Sequence, residues 1–221
     1  MVETSLMSLL IFDLDGTLID SKLDLAHSVN AARRYMGLDP ISHELVSTYV
    51  GNGAPVLIRR VLGPDATDDR VAKALDYFIR YYTEHCLDNT SLYPGVKDAL
   101  DRLHSQKGVR MAVLTNKPVR VSNHIVNGLG CGDHFFRIYG GNSFDRKKPD
   151  PIGVEKLLSE SGVPREAAVM VGDSAVDVRT ARNANIRACG VTYGFQPETF
   201  ADEPPDFVVD DLAELVRMVV A

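Results

Sequence analysis

Leu9-Leu10-Ile11-Phe12-Asp13-Leu14-Asp15-Gly16-Thr17 is the stretch that decides the reading of this chain. An apolar run of strand length ends, and two carboxylates follow at i and i+2, positions that a strand end places on one side of the chain. Gly16 allows a sharp turn, and Thr17 can hydrogen-bond locally to steady it. Two acidic groups at the carboxyl end of a buried strand are costly unless a cation sits with them. A divalent metal is the simplest such partner, because hard cations take oxygen ligands. Asp and Gly are also common where a strand merely ends in a turn, so the remaining chemistry has to come from elsewhere in the chain.

The bulk properties narrow the field. Over 221 residues, 45% hydrophobic and 24% charged, the chain has the composition of an ordinary globular protein of one or two domains. A net charge of -6 gives no basic footprint for nucleic acid or an anionic membrane. The 3 cysteines, Cys86, Cys131 and Cys189, are odd in number, far apart and without a C-x-x-C pair. That usage points to free thiols in a reducing, cytoplasmic setting rather than to a disulfide scaffold or a zinc site. Met1 to Leu10 reads as no secretory leader, since Glu3 stands where a basic residue would and the apolar run is too short. No stretch is long enough to span a bilayer. The histidines are scattered without metal-ligand spacing and are expected to take no catalytic part.

Short apolar strands alternate with helical patterns along the rest of the chain. Strands are predicted over Ser8 to Phe12, Arg110 to Leu114, Arg137 to Tyr139, Ala168 to Val171, Ala188 to Val191 and Phe207 to Val209. Helices are predicted over Val96 to Ser105, from Pro118, and over Ile152 to Ser161, Ala175 to Ala184 and Leu212 to Val219. This alternation argues for a parallel α/β sheet with helices on both faces. Residues 21–88 break the pattern with a mostly helical block. Within it Val71, Leu75, Phe78, Tyr82 and Cys86 form one apolar face, and Leu57, Ile58, Val61 and Leu62 a shorter one. Ser91-Leu92-Tyr93-Pro94-Gly95 reads as the turn that ends the block. The division is therefore an α/β core of residues 1–20 and 91–221 with an inserted helical cap of residues 21–90, whose two adjacent connections suit a hinged lid.

Three further clusters fall at predicted strand ends, where α/β folds carry their chemistry. Thr115-Asn116-Lys117-Pro118 offers a hydroxyl and a backbone N–H before a helix. Arg146-Lys147-Lys148-Pro149 is a basic loop, a composition that usually means solvated lysines. Gly172-Asp173-Ser174-Ala175-Val176-Asp177 places two carboxylates and a serine at a helix start, where Asp173 or Ser174 could also simply cap the helix.

Together, D-L-D-G-T, T-N, K-P and G-D-S-x-x-D resemble the four motifs of the haloacid dehalogenase-like phosphohydrolase superfamily, in order and across essentially the whole chain. Gly51-Asn52-Gly53-Ala54, Gly140-Gly141-Asn142-Ser143 and Val191-Thr192-Tyr193-Gly194 look like those of its phosphoglycolate phosphatase subgroup. The resemblance implies a Rossmann-like sheet of strand order 3-2-1-4-5, with Asp13 and Asp15 beside Asp173 and Asp177. It implies that Asp13 attacks phosphorus to form an aspartyl phosphate, while Asp15 protonates the leaving alkoxide and then deprotonates water. Mg2+ would bind the Asp13 carboxylate, the Asp15 backbone carbonyl and Asp173. Thr115, Asn116 and Lys148 would hold the phosphoryl oxygens, with Asp177 and Ser174 supporting from behind.

Substrate choice would fall to Gly51, Asn52 and Gly53, and to Lys117, Arg59 or Arg60 for a substrate carboxylate. The expected partner is a small phosphorylated metabolite, 2-phosphoglycolate first, acted on by a monomer or homodimer. A sugar or nucleotide phosphatase, a pyrophosphatase and a phosphosugar mutase share this architecture and remain open. So does a receiver-like phospho-acceptor module, although the cap and the acid at position 15 argue against it.

Overall fold

The structure is a computed structural model that describes residues 7–220. Residues 1–6 and 221 lie outside it, and with them most of the segment whose sequence reads as no leader.

Six strands form one parallel sheet: β1 (Leu9–Phe12), β4 (Arg110–Leu114), β5 (Arg137–Tyr139), β6 (Ala168–Gly172), β7 (Arg187–Val191) and β8 (Phe207–Val209). Their spatial order is β5-β4-β1-β6-β7-β8. Counted within the sheet, this is the expected 3-2-1-4-5 order with a sixth strand added at the far edge. A parallel sheet is covered on both faces, so its strands are apolar at every position rather than at alternate ones. Leu9 to Phe12 are all 0% exposed. Alternate residues nonetheless serve different layers. Leu10 and Phe12 pack with Met111 and Val113 against α5 (Val96–His104), α6 (Val119–Gly128) and α9 (Leu212–Val220). Leu9 and Ile11 pack with Ala112 and Leu114 against α7 (Ile152–Ser161) and α8 (Ala175–Asn183).

The inserted block contains α1 (Lys22–Tyr35), α2 (His43–Tyr49), α3 (Ala54–Leu62) and α4 (Asp68–His85). Ser42 caps α2 by accepting from Leu45 N, and Thr67 caps α4 by accepting from Arg70 N. α1 packs against α2 and α4, and α3 against α4. The predicted apolar faces turn inward, with Leu62 and Leu75 only half-buried at their margins. Leu57, Ile58, Val61, Val71, Phe78 and Tyr82 join the core beneath α5 and α6 through Leu14, Leu18 and Ile19.

One sequence expectation is corrected here. Ser91-Leu92 is more than a turn: β3 (Ser91–Leu92) pairs antiparallel with β2 (Ile19–Asp20). The two connections to the helical block therefore run as a short ribbon, extended by the bond from Tyr93 N to Leu18 O. On the cap side, the buried Asp24 carboxylate accepts from the backbone N–H and side chain of both Asn89 and Thr90, at 2.8 to 2.9 Å. Burial alone would raise the Asp24 carboxyl; these donors outweigh it and hold it below its ordinary value. A two-residue strand has no periodicity to read, which is why the ribbon was invisible in the sequence.

Candidate active site

The central strands β4, β1 and β6 stand side by side, with Phe12 level with Val113 and Val171. Their carboxyl ends therefore deliver Thr115, Asp13 and Asp173 to one place, the switch point where open α/β sheets bind ligands. Gly16 follows Asp13 in a left-handed conformation (φ 82°), and a Cβ there would lie 2.2 Å from Asp173 Oδ2. Only glycine satisfies both conditions. The first motif turns where it does because the carboxylate of the fourth fills the space beside it.

Asp13, Asp173 and Asp177 each offer an oxygen within 4.8 Å of the others, the one group of metal-ligating type among the described residues. Lys148 is the cation among them, with Nζ 2.9 Å from Asp13 Oδ1 and 2.6 Å from Asp177 Oδ1. Burial opposes its charge, but the Asp13 and Asp177 carboxylates outweigh that and push the ammonium above its ordinary value. One lysine does not balance three carboxylates. Burial, partly offset by Lys148, pushes Asp13 up to about 6. Burial and the charges of Asp177 and Asp13 push Asp173 up to about 8. Asp13 Oδ1 has the Lys148 ammonium beside it and no further donor. An all-oxygen donor set, an excess of negative charge and an oxygen with spare lone pairs fit a hard divalent cation such as Mg2+. Asp177 accepts from the backbone N–H and hydroxyl of Ser174 at the start of α8. The two residues thus both close the helix and brace Lys148.

Asp15 lies apart from this cluster. Its carboxylate receives Lys117 Nζ at 2.7 and 3.0 Å and the Ser21 hydroxyl at 2.5 Å. Lys117 is in turn touched by the Tyr82 hydroxyl at 2.5 Å and lies 4.6 Å from that ring's centre. The two carboxylates of the first motif therefore face one cleft with separate ammonium partners, Lys148 for Asp13 and Lys117 for Asp15.

The cleft between sheet and helical block has a volume of about 50 Å³. Asp13, Asp15, Thr115, Asn116, Lys117, Pro118, Asp173, Ser174, Phe195 and Gln196 line its core side. Leu25, Val50, Gly51, Gly53, Ala54, Leu57, Phe78, Ile79 and Tyr82 line the cap side, which is apolar but for the glycine backbone and the Tyr82 hydroxyl. Thr115 is buried, and its hydroxyl accepts from Lys117 N. Asn116 Nδ2 donates to Gly51 O at 2.9 Å and to Lys148 O at 3.1 Å. Asn52 does not line the cleft; its carbonyl accepts from Lys147 Nζ at 2.7 Å. Arg59 pairs with Asp68 on the exposed surface, and Arg60 reaches Tyr49 O, so neither enters the cleft.

Sequence reasoning missed five contributors. Tyr82 sits at helical spacing on a core face, where periodicity cannot distinguish a hydroxyl aimed at a lysine. Ser21 read only as the start of the block. Lys147 was one residue of a basic loop. Phe195 and Gln196, beyond β7, use their backbone N–H groups to hold Asp173 Oδ2 at 2.6 and 3.3 Å.

Residues 10–191 match the family described as haloacid dehalogenase-like hydrolase. The chain is 39% identical over 220 residues to the phosphoglycolate phosphatase of Vibrio parahaemolyticus, covering 96% of each protein. It is 43% identical over 215 residues to that of Pseudomonas fluorescens, covering 94% of this chain and 78% of the relative. A crystal structure of a predicted phosphoglycolate phosphatase from Haemophilus somnus superposes with a TM-score of 0.90 at 34% identity, over 98% of this chain and 99% of the other. With fold, strand-end cluster and sequence in agreement, the chain belongs to the haloacid dehalogenase-like hydrolases.

Proposed function

We propose that this protein is a phosphatase of small phosphate monoesters, with 2-phosphoglycolate, split to glycolate and phosphate, as its favoured substrate. The observation that carries the reading is the pairing of Asp13, which lines a small cleft, with the buried Lys148 behind it, and a second carboxylate on the same cleft, Asp15, held separately by Lys117. Phosphate-monoester hydrolysis is among the slowest uncatalysed reactions and needs a nucleophile, a proton donor and charge compensation at once.

In this reading an Asp13 oxygen attacks phosphorus and the bond to the leaving oxygen breaks, giving an aspartyl phosphate. Asp15, aimed by Lys117 and Ser21, gives its proton to the leaving alkoxide, then takes one from the water that attacks the aspartyl phosphate. Lys148, the Thr115 hydroxyl and the Asn116 backbone N–H hold the phosphoryl oxygens. Mg2+ held by the Asp13 and Asp173 carboxylates and the Asp15 backbone carbonyl would supply the remaining positive charge. Asp177 and Ser174 keep Lys148 in place.

The residues divide as a core of 1–20 and 91–221 and a cap of 21–90 that closes over the substrate. The apolar cap wall and the small volume suit a short ester better than a sugar, whose hydroxyls would find few partners there. A substrate carboxylate would meet Lys117 and the backbone around Gly51 and Gly53. Three buried free cysteines and an acidic surface suit the cytoplasm, with no nucleic-acid partner and with a monomer or homodimer as the working unit. No helix among the described residues is long and apolar enough to cross a membrane.

The test is phosphate release from a panel of phosphorylated metabolites with Mg2+. The reading expects the highest kcat/KM for 2-phosphoglycolate. A higher value for a sugar phosphate, or an isomerised phosphosugar as product, overturns the substrate assignment. One phosphate per chain without turnover overturns the enzymatic one.

A further inference from the structure

Five consecutive or near-consecutive backbone carbonyls of the cap face side-chain donors of the core. Gln196 Nε2 lies 3.4 Å from Ser47 O, 3.2 Å from Thr48 O and 3.1 Å from Val50 O. Asn116 Nδ2 donates to Gly51 O at 2.9 Å, and Lys147 Nζ to Asn52 O at 2.7 Å. These donors come from three separate core loops, those after β4, before α7 and after β7. The acceptors are all backbone oxygens of residues 47–52. Ser47 and Thr48 lie in the last turn of α2, where carbonyls lack the regular helical donor four residues on; Ser47 O keeps only the Val50 N–H, at 3.3 Å.

We propose that Gln196 is a positioning residue that closes the carboxyl end of α2 from the core and, with Lys147 and Asn116, latches the cap loop over the cleft. Only a donor can do this, because every group it faces is an acceptor. The latch reads the cap's main chain, so it sets the height of Gly51 and Gly53 above Asp13 whatever side chains the cap carries. The loop that supplies it also grips Asp173 through the backbone N–H groups of Phe195 and Gln196. One short segment thus ties a floor carboxylate to the roof. The effect on catalysis rests on the reading above, in which residues 47–53 cover the substrate.

The experiment compares Gln196→Glu, Gln196→Ala and Gln196→Lys in the full chain with Mg2+. Glutamate keeps the length but replaces the donor with a charged acceptor; lysine keeps a donor. Hydrogen exchange of the peptide spanning residues 44–57 is measured without substrate. kcat/KM is measured for 2-phosphoglycolate and for p-nitrophenyl phosphate, and melting temperature checks folding. Hydrogen exchange in this peptide is expected to rise about tenfold in the Glu variant and about threefold in the Ala variant, with Lys near wild type, in keeping with the few-fold worth of a neutral hydrogen bond. kcat/KM for 2-phosphoglycolate should fall in the same order, while the aryl phosphate stays within about threefold. Exchange in the Glu variant equal to wild type, or Lys no better than Ala, overturns the latch. If exchange follows the expected order but 2-phosphoglycolate is not a substrate, the latch stands and the substrate reading falls. If the Glu variant does not fold, the Ala and Lys pair decides.

Discussion

Lys148 Nζ sits 2.6 Å from Asp177 Oδ1, with both side chains almost wholly buried, so the cation beside Asp13 is aimed by a carboxylate that does not itself follow a strand. Removing that brace leaves Lys148 with Asp13 alone. Asp177→Asn should lower kcat about 10- to 100-fold, the usual scale for a residue that orients another. Lys148→Met should lower it further. It should also cost the metal-free protein about 3 to 5 kcal/mol, because buried carboxylates lose their partner. Steady-state phosphate release and denaturant titration check both.

Asp13→Asn should abolish turnover while leaving the fold intact. The amide cannot form the acyl phosphate, and each ~1.4 kcal/mol of lost stabilisation is a tenfold loss in rate. Phosphate release near the wild-type rate would exclude the covalent route.

Activity should vanish on chelation and return with Mg2+. Without metal, burial pushes Asp173 up to about 8 and Asp13 up to about 6, so protons occupy the positions the cation needs. Apparent Mg2+ affinity should therefore weaken as pH falls from 8 toward 6, by up to about tenfold per unit, and binding should release protons. Calorimetry in two buffers of different ionisation enthalpy measures that release. The sign for stability runs the other way. A carboxyl raised above its ordinary value favours the fold at low pH and is lost as a stabiliser when pH rises through about 8. Asp173→Asn should accordingly melt several degrees higher than the metal-free wild type at pH 8, while losing Mg2+ binding.

Gly53 adopts φ 84°, and a Cβ there would meet Lys147 Nζ at 3.0 Å and Asn116 O at 3.1 Å. Gly53→Val should strain the cap loop and press it off the core. The loss in kcat/KM should be greater for 2-phosphoglycolate than for an aryl phosphate, which needs less from the cap. Equal losses with unchanged melting temperature would remove the loop from substrate choice.

Tyr82→Phe keeps the ring against Lys117 and removes only the hydroxyl. A kcat lower by about three- to tenfold at unchanged melting temperature is expected, since Lys117 would lose one of the contacts that keep it on Asp15. Lys117→Met should cost more, and wild-type kinetics in both would free Asp15 from this chain of contacts.

How much of this was legible follows from which interactions have a sequence signature. The run Leu9–Phe12 marked the central strand because central parallel strands are apolar at every position, and β4, β5 and β8 also fell at their predicted bounds, although β5 at the sheet edge carries the exposed Arg137 and β8 the exposed Val208. The strand ends placed Asp13, Thr115 and Asp173 together once the strand order was right. The sixth strand lay beyond the five that the family resemblance implied. Contacts made by backbone carbonyls were not legible at all: nothing in Ser47–Asn52 announces that its oxygens meet Gln196, Asn116 and Lys147. Lys147 and Lys148 look alike in the sequence, yet one reaches the carbonyl of Asn52 in the helical block and the other the carboxylate of Asp13.

The ribbon of Ile19–Asp20 and Ser91–Leu92 bears on how the chain reaches this state. Strands β1 and β4 are neighbours in the sheet although nearly a hundred residues separate them. The helices between them contact one another locally, and Asp24 with the ribbon brings the block's two ends together. Once that block has formed, fewer than thirty residues of effective loop remain between β1 and β4. Loop closure then costs about 1 kcal/mol less. The insertion that roofs the cleft therefore also shortens the search for the sheet's central pairing, and variants that cut the Asp24 bonds should refold more slowly.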